Sequence, residues 1–296
     1  MIFTNSHASA IRLCMCMGFG CNAAGVIACR IIDSPRERLI AILTNNFAPC
    51  NGRFPTLILL STLFVSACFA DDYRSFVTTF SITAVVLLGI VTTFFSAWLL
   101  SKTLLKGTPS SNILELPPYR LPQVGAVIYR SIIDRTFFVL KRAIYMAAPA
   151  GAVIWLIANI PCGDTTLLAY LANLLNTPAY YLGLDGVILL SFILGLPANE
   201  IVLPIMLMTY LSTGQMIEIE NLTTLKEILI ANHWTLLTAI NTMLLCLLHF
   251  PCSTALLTIH KETGSKKWTA IAFILPTLLG LILCLITTFI ARSFLM

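Results

Sequence analysis

The chain has 296 residues, of which 58% are hydrophobic and 10% charged, with a formal net charge of +5 and a mean hydropathy of +0.90. An ordinary soluble domain carries about 25% charged residues, so there is too little charge here to clothe a water-facing surface. Length alone would allow one or two soluble domains, but the apolar runs argue against them and for a bilayer.

The N-terminus does not read as a signal peptide, because it lacks a basic n-region and Arg12 falls where an h-region should run. The first interruption follows at Gly18-Phe19-Gly20-Cys21-Asn22. Next, Ser34-Pro35-Arg36-Glu37-Arg38 leads into an apolar run to Leu43. Ser at a cap and Pro at the first helical position predict a helix there, and its charged and apolar ends suit the membrane surface. A second interruption is Pro49-Cys50-Asn51-Gly52, followed by an apolar stretch over Pro55–Ala70. Phe76–Leu100 is 25 residues without a charge, and roughly 20 apolar residues span the hydrocarbon core.

After the loop at 101–142, Ala143–Ile160 is a shorter candidate span. Val187–Leu211 is apolar but broken by Gly195-Leu196-Pro197-Ala198-Asn199-Glu200. Asn221–Ile230 reads as a second surface helix, and His233–Phe250 as another span ending at Pro251-Cys252-Ser253. The last span is Trp268–Ala291, 24 residues without a charge.

Basic residues orient these elements. Fourteen of the 18 lie in three stretches: Arg30, Arg36, Arg38 and Arg53; the 101–142 loop; and Lys261, Lys266 and Lys267. The positive-inside rule places all three in the cytoplasm. The stretches 161–185 and 212–232, with only Lys226 between them, then fall outside. It follows that 186–211 enters and returns on one side, with the Leu196-Pro197-Ala198 break at its tip. The alternative, a full crossing, would leave Lys261, Lys266 and Lys267 outside.

The predicted architecture is an all-α integral membrane protein with about five full transmembrane helices, one or two broken or re-entrant gate segments, and interfacial helices. It divides into a partial first gate region with two spans (1–100), a cytoplasmic linker loop (101–142) and a second gate region with the remaining spans (143–296).

Within the bilayer, irregular backbone survives only where it is buried in protein or lines a polar path. Cys21, Cys50 and Cys252 each follow Gly or Pro at such a break, and thiolate is a ligand suited to transition metals. A helix end with a small buried thiol is the competing reading of each pair. Glu200 lies inside an apolar stretch directly after a break, where a carboxylate costs roughly 2.5–3.5 kcal/mol on insertion scales. That marks an ion or proton site, or a group facing a polar cavity. Asn199 offers a neutral oxygen beside it, and His249 could add an imidazole nitrogen to the Pro-Cys site at 251–252. Gly18, Gly20, Pro49, Pro197 and Pro251 are the gate residues that open the backbone. The other cysteines read as small buried side chains. No G-x-x-x-x-G-K-[ST] loop occurs in the sequence, so nucleotide binding by that route is not expected. Arg in the 101–142 loop is explained by positive-inside charge rather than nucleic acid.

Several of these segments resemble the membrane domain of the bacterial ferrous iron transporter, the FeoB family. Gly18 to Asn22 with Ala28-Cys29-Arg30 resembles its first gate motif, and Phe47-Ala48-Pro49-Cys50-Asn51-Gly52-Arg53-Phe54-Pro55 its Pro-Cys segment. Glu115-Leu116-Pro117-Pro118-Tyr119-Arg120-Leu121-Pro122 is similar to its cytoplasmic linker, the most specific match. Gly195 to Ile201 resembles the second gate, and Phe250-Pro251-Cys252 with His260 to Ser265 the last Pro-Cys motif and its loop. Departures are Asn199 in place of the usual Lys, Asn51-Gly52 where Ser-Ala is usual, and Ser253-Thr254 after Cys252.

The resemblance implies Fe(II) as the transported ion in a multi-pass protein of the cytoplasmic membrane, with no permanently bound cofactor and no enzymatic activity of the chain's own. Cys21, Cys50 and Cys252 are then expected to contact the metal, with Glu200 supplying charge. It further implies that GTP acts only through a partner, either a GTPase-bearing membrane chain or an N-terminal half outside this sequence. A homo-oligomer is compatible with it. Two rivals stand beside it: a gate-type membrane protein or scaffold that has lost iron transport, and a membrane thiol redox protein.

Overall fold

The computed structural model describes residues 7–105, 123–130, 133, 137–162, 165–216 and 221–295. The linker motif Glu115 to Pro122 lies outside the described residues. Among the described residues the chain is helical apart from a two-residue antiparallel pairing of Pro161–Cys162 with Thr165–Thr166.

The first half contains α1 (His7–Gly20), α2 (Asn22–Ala28), α3 (Pro35–Thr44), α4 (Phe54–Leu60) and α5 (Arg74–Lys102). After α6 (Val124–Arg130) and α7 (Phe138–Asn159), α8 (Leu167–Tyr181) leads into the second half. That half holds α9 (Gly186–Leu194), α10 (Val202–Leu211), α11 (Leu222–Ala231), α12 (Leu236–Leu248), α13 (Ser253–Thr263) and α14 (Lys266–Leu295).

Helices α1 and α2 form a hairpin about Cys21. Cys14 and Cys29, seven residues before and eight after that tip, are both buried in one apolar cluster, and Cys29 Sγ donates to Gly25 O at 3.3 Å. Gly18 and Gly25 close on the same Asn45 amide, where a methyl group would stand 2.7 and 2.5 Å from Asn45 Oδ1. Helices α9 and α10 form a second hairpin. The Tyr210 hydroxyl near its end donates to Asp185 at its start, and Asp185 Oδ1 caps α9 by accepting from Ile188 N at 2.7 Å. The chain over 186–211 thus returns to where it began, the geometry that the re-entrant path inferred from charge requires.

Between these hairpins run two broken helices. The first comprises α3, an irregular stretch at 45–53, α4 and a π turn at Ser61–Val65. It lies antiparallel to α5 along its whole length: Arg36 reaches Ser101 O at 3.3 Å, Gly89 sits against Phe47 O, and Ser61 Oγ donates to Thr78 O at 3.4 Å. The second, α12 and α13 with a break at 249–252, lies antiparallel to α14. Asn241 Nδ2 donates to Thr288 Oγ1 at 2.8 Å, Leu248 packs on Gly280, and Phe250 stacks on Phe273 with centroids 4.6 Å apart. The order hairpin, broken span, unbroken span thus occurs twice.

The two hairpins enter from opposite ends. At the end where α14 starts, Arg30 after α2 makes a two-pronged ion pair with Glu262 at 2.6 and 2.8 Å. At the other end of α14, Arg292 stacks on the Tyr180 ring 4.1 Å from its centroid, beside the base of the second hairpin. Inverted repeats with discontinuous helices meeting near the bilayer midplane are a recurrent way to build an ion site.

Three stretches are long and apolar enough to cross a membrane, Asp71–Lys102, Leu236–Thr263 and Lys266–Phe294, or four if the sharply bent pair α8–α9 counts as one. The chain is a multi-pass membrane protein. The count is lower than the five read from hydropathy because Pro55–Ala70 and Ala143–Ile160 are not among these stretches, whereas His233–Phe250 is part of Leu236–Thr263. Pro55–Ala70 is the outer half of the first broken span, and His233–Phe250 pairs with α13. Of Ala143–Ile160, all but the last residue lies within α7, Phe138–Asn159. The surface helix expected at Ser34–Leu43 is instead the inner half of the first broken span, with Ile40 to Thr44 all buried. Ser34 does cap it, accepting from Glu37 N at 3.4 Å. The expected helix at 221–230 is α11, capped by Asn221.

Candidate metal path

Four backbone breaks point at one another, one in each hairpin and one in each broken span. At the hairpin tips a single residue switches to extended backbone: Cys21 (φ −155°, ψ 123°) and Ala198 (φ −152°, ψ 129°). Both are followed by a buried asparagine, Asn22 and Asn199. At the broken spans, Cys50 (φ −79°, ψ 166°) and Cys252 (φ −59°, ψ 159°) play that part, each directly after a proline that lacks a backbone N–H for the helix to use. The same local device is thus used four times, with amide or thiol at the turning point.

Amides stitch the breaks together. Asn22 Nδ2 donates to Asn46 Oδ1 at 3.1 Å, and Asn45 Nδ2 donates to Asn22 O at 2.9 Å. Asn46 Nδ2 donates to His249 O at 2.9 Å, which joins the first broken span to the second. Ser253 N donates to Leu196 O at 2.8 Å, and Ser253 Oγ to Pro197 O at 3.4 Å, so the second hairpin tip rests on the start of α13. Asn199 is the bridge between halves: its Nδ2 donates to Cys50 Sγ at 3.5 Å, and its Oδ1 lies 3.1 Å from His249 Nε2. The other imidazole nitrogen, Nδ1, faces Cys246 O at 2.9 Å and Leu245 O at 3.2 Å. Those two oxygens and Asn199 Oδ1 can all only accept, so a neutral ring donates on one side or the other and not on both. Phe192 and Phe250 hold the ring from two sides, with centroids at 5.0 and 5.4 Å.

Glu200 follows this bridge and is exposed. Its side chain lies over Gly52, where a methyl group would stand 3.1 Å from Glu200 Cγ. The glycine leaves the carboxylate room beside the Pro49-Cys50 break, where a methyl group would crowd it.

The structure therefore gathers Cys50, Asn199, His249 and Glu200 around the contact between the first broken span and the second hairpin. Cys50 is buried, Cys252 half-buried and Cys21 exposed. Among the described residues, no three His, Cys, Asp or Glu side chains form a closed metal cluster, so the donors stand separated.

Three residues of this centre were not singled out from sequence as site candidates: Asn45, Asn46 and Arg53. Arg53 was counted among the cytoplasmic basic residues, yet it is fully buried. Its position directly after the Pro-Cys break, inside an apolar run, was the available signal.

Comparison with known proteins gives this geometry a family. The family described as "Ferrous iron transport protein B C terminus" matches residues 82–134, and the one described as "Gate: Nucleoside recognition" matches residues 140–266. The protein named Fe(2+) transporter FeoB of Staphylococcus aureus (strain MSSA476) is 30% identical over 282 residues, covering 92% of this chain and 39% of the relative. Those of Methanocaldococcus jannaschii and Campylobacter jejuni are 27% and 26% identical, covering 94% and 93% of this chain and 41% and 45% of their own lengths. The chain thus spans about two fifths of the length of the curated relatives it matches. No solved structure matches it. With these two family models matched in order over residues 82–134 and 140–266 and 92% of its length aligned to a relative, the chain belongs to the ferrous iron transport protein B family, of which it carries the C-terminal and Gate regions.

Proposed function

We propose that this chain is the permease part of a ferrous iron transporter of the cytoplasmic membrane, and that Fe(II) passes between the four backbone breaks. The observation that carries this reading is the Cys50–Asn199–His249 bridge, which places soft and borderline donors where two interrupted helices meet. Cys50, Cys252 and Cys21 are the metal-contacting thiols on this reading. Glu200 supplies charge next to Cys50, and Asn199 with His249 fixes where that thiol sits. Separated donors suit a transported ion, since a site must hold its ion weakly enough to release it. A thiolate–carboxylate set accepts Fe(II) and also other divalent first-row metals. Nucleotide hydrolysis comes from another polypeptide segment, joined or separate, as the shorter length relative to the aligned relatives suggests.

The test is Fe(II) uptake in a strain lacking its own iron transport. This chain would be expressed alone, with a GTPase-bearing partner, and with Cys21, Cys50 and Cys252 each changed to Ser. Uptake that collapses in the serine variants supports thiol ligands. Absence of uptake in every combination, with the protein present in the membrane, leaves the scaffold reading standing and sinks transport.

A thiol redox protein is the second reading, and the burial of Cys14 and Cys29 in one apolar cluster at the first hairpin is the observation on its side. Activity that tracks a reversible Cys14–Cys29 disulfide, and survives Cys50→Ser, would favour it.

A further inference from the structure

Arg53 is a fully buried cation that, among the described residues, has no carboxylate partner. Its acceptors are all carbonyls. Nη1 donates to Asn46 O at 2.9 Å and Leu247 O at 2.8 Å. Nη2 donates to Asn46 Oδ1 at 3.1 Å, His249 O at 3.2 Å and Phe250 O at 3.5 Å. Each terminal nitrogen therefore holds one acceptor from the first broken span and at least one from the second.

The breaks create the need for such a residue. Helix α12 stops at Leu248, which leaves its last carbonyls without helical donors, and a positive charge at a helix C-terminus is favoured by the helix dipole. In water those carbonyls would be solvated, but at this depth they are not. Arg53 is also tied to the backbone of the cysteine before it, since Arg53 N donates to Cys50 O at 2.9 Å. On the other side, Phe250 is two residues ahead of Cys252. One guanidinium thus links the backbone of both Pro-Cys segments.

We propose that Arg53 is a positioning residue that fixes Cys50 and Cys252 relative to each other by gripping both breaks at once. Lysine cannot replace it: an ammonium keeps the charge but lacks the planar fork that reaches two acceptors per nitrogen on opposite sides. The transport reading enters this proposal only through what moves along the path. The grip itself is a property of the resting protein.

The experiment uses the full chain in membranes with all its cysteines. N-ethylmaleimide is added, and peptide mass spectrometry gives the modification rate at each thiol. In Arg53→Lys and Arg53→Gln, the rate at Cys50 is expected to rise about tenfold, the factor for losing one net hydrogen bond from a locally opened site. Cys14 and Cys29, buried in the other hairpin, keep their rates. A rise shared equally by Cys14, Cys29 and Cys50 would show that Arg53 only supports the fold, and would overturn the proposal. So would an unchanged rate at Cys50. If neither variant reaches the membrane, Asn46→Ala removes one acceptor of the same grip, and an unchanged Cys50 rate there overturns it equally. Fe(II) uptake is measured alongside: the substituted protein is expected to show a KM raised about tenfold with Vmax less affected. A wild-type chain that takes up no iron while the thiol pattern holds would remove the transport reading and leave the positioning role intact.

Discussion

The Asn199 amide and the His249 imidazole meet 3.1 Å apart although 50 residues separate them, and each sits at a break in its own helix. Asn199 is buried and its second arm is on Cys50. Changing Asn199 to Ala strands a buried imidazole nitrogen and a thiol together. We expect a loss of about 1–3 kcal/mol in stability and a fall in Fe(II) uptake, read by thermal unfolding in detergent and by transport. An Asn199→Ala protein as stable and as active as the parent would mean that the bridge does not order the centre.

Gly25 and Gly20 give a matched pair. A methyl group at Gly25 would lie 2.5 and 2.7 Å from the Asn45 amide atoms, whereas at Gly20 nothing lies within 4 Å. Asn45 is itself buried and bonded to Asn22 O, so it cannot withdraw. Gly25→Ala is expected to cost about 1–3 kcal/mol by overpacking, and Gly20→Ala to stay within about 0.5 kcal/mol. Unfolding temperatures of the two variants, side by side, decide it.

The Arg30–Glu262 pair closes the end of the fold that carries Lys261, Lys266 and Lys267. Arg30 is 59% exposed, so solvent screens most of its attraction. A double-mutant cycle with Arg30→Ala and Glu262→Ala should give a coupling of under about 1 kcal/mol. At 1 M salt, where the screening length is about 3 Å, that coupling should shrink further. A large, salt-insensitive coupling would contradict the exposed geometry.

Tyr210 closes the opposite end by a buried route. Its hydroxyl donates to Asp185 and accepts from Trp234 Nε1 at 2.8 Å. Tyr210→Phe removes both bonds and leaves a buried indole N–H without its acceptor. We expect about 1–3 kcal/mol of destabilisation, independent of salt, and faster proteolysis of the 212–232 segment. The contrast in salt response between the two ends is the sharper result, because it compares an exposed closure with a buried one.

Gly and Pro beside Cys21, Cys50, Ala198 and Cys252 announced the breaks in the sequence, since neither residue lets a helix continue undisturbed. The sparse basic residues around 161–232 gave the second hairpin its direction. What could not be read was which broken segments belong together. Pro55–Ala70 and Ser34–Leu43 look like separate elements in sequence because hydropathy shows α5 as a span but carries no trace of its packing along both. Asn45, Asn46 and Arg53 escaped for a related reason. A buried polar residue is recognisable only by its partners, and those of Arg53 are main-chain carbonyls near residue 250 that any sequence would supply.

Arg53 and Leu247 are 194 residues apart, which bears on how the protein is made. When the first hairpin, the first broken span and α5 have left the ribosome, the carbonyls that receive the guanidinium have not been synthesised. A bare arginine within the bilayer is costly, so the nascent first half cannot settle into its final depth unaided. It must wait, shielded by water, lipid headgroups or insertion machinery, until α12 arrives. Long-range closure of this kind makes assembly slow, and it makes the second half, rather than the first, the element that commits the chain to its native arrangement.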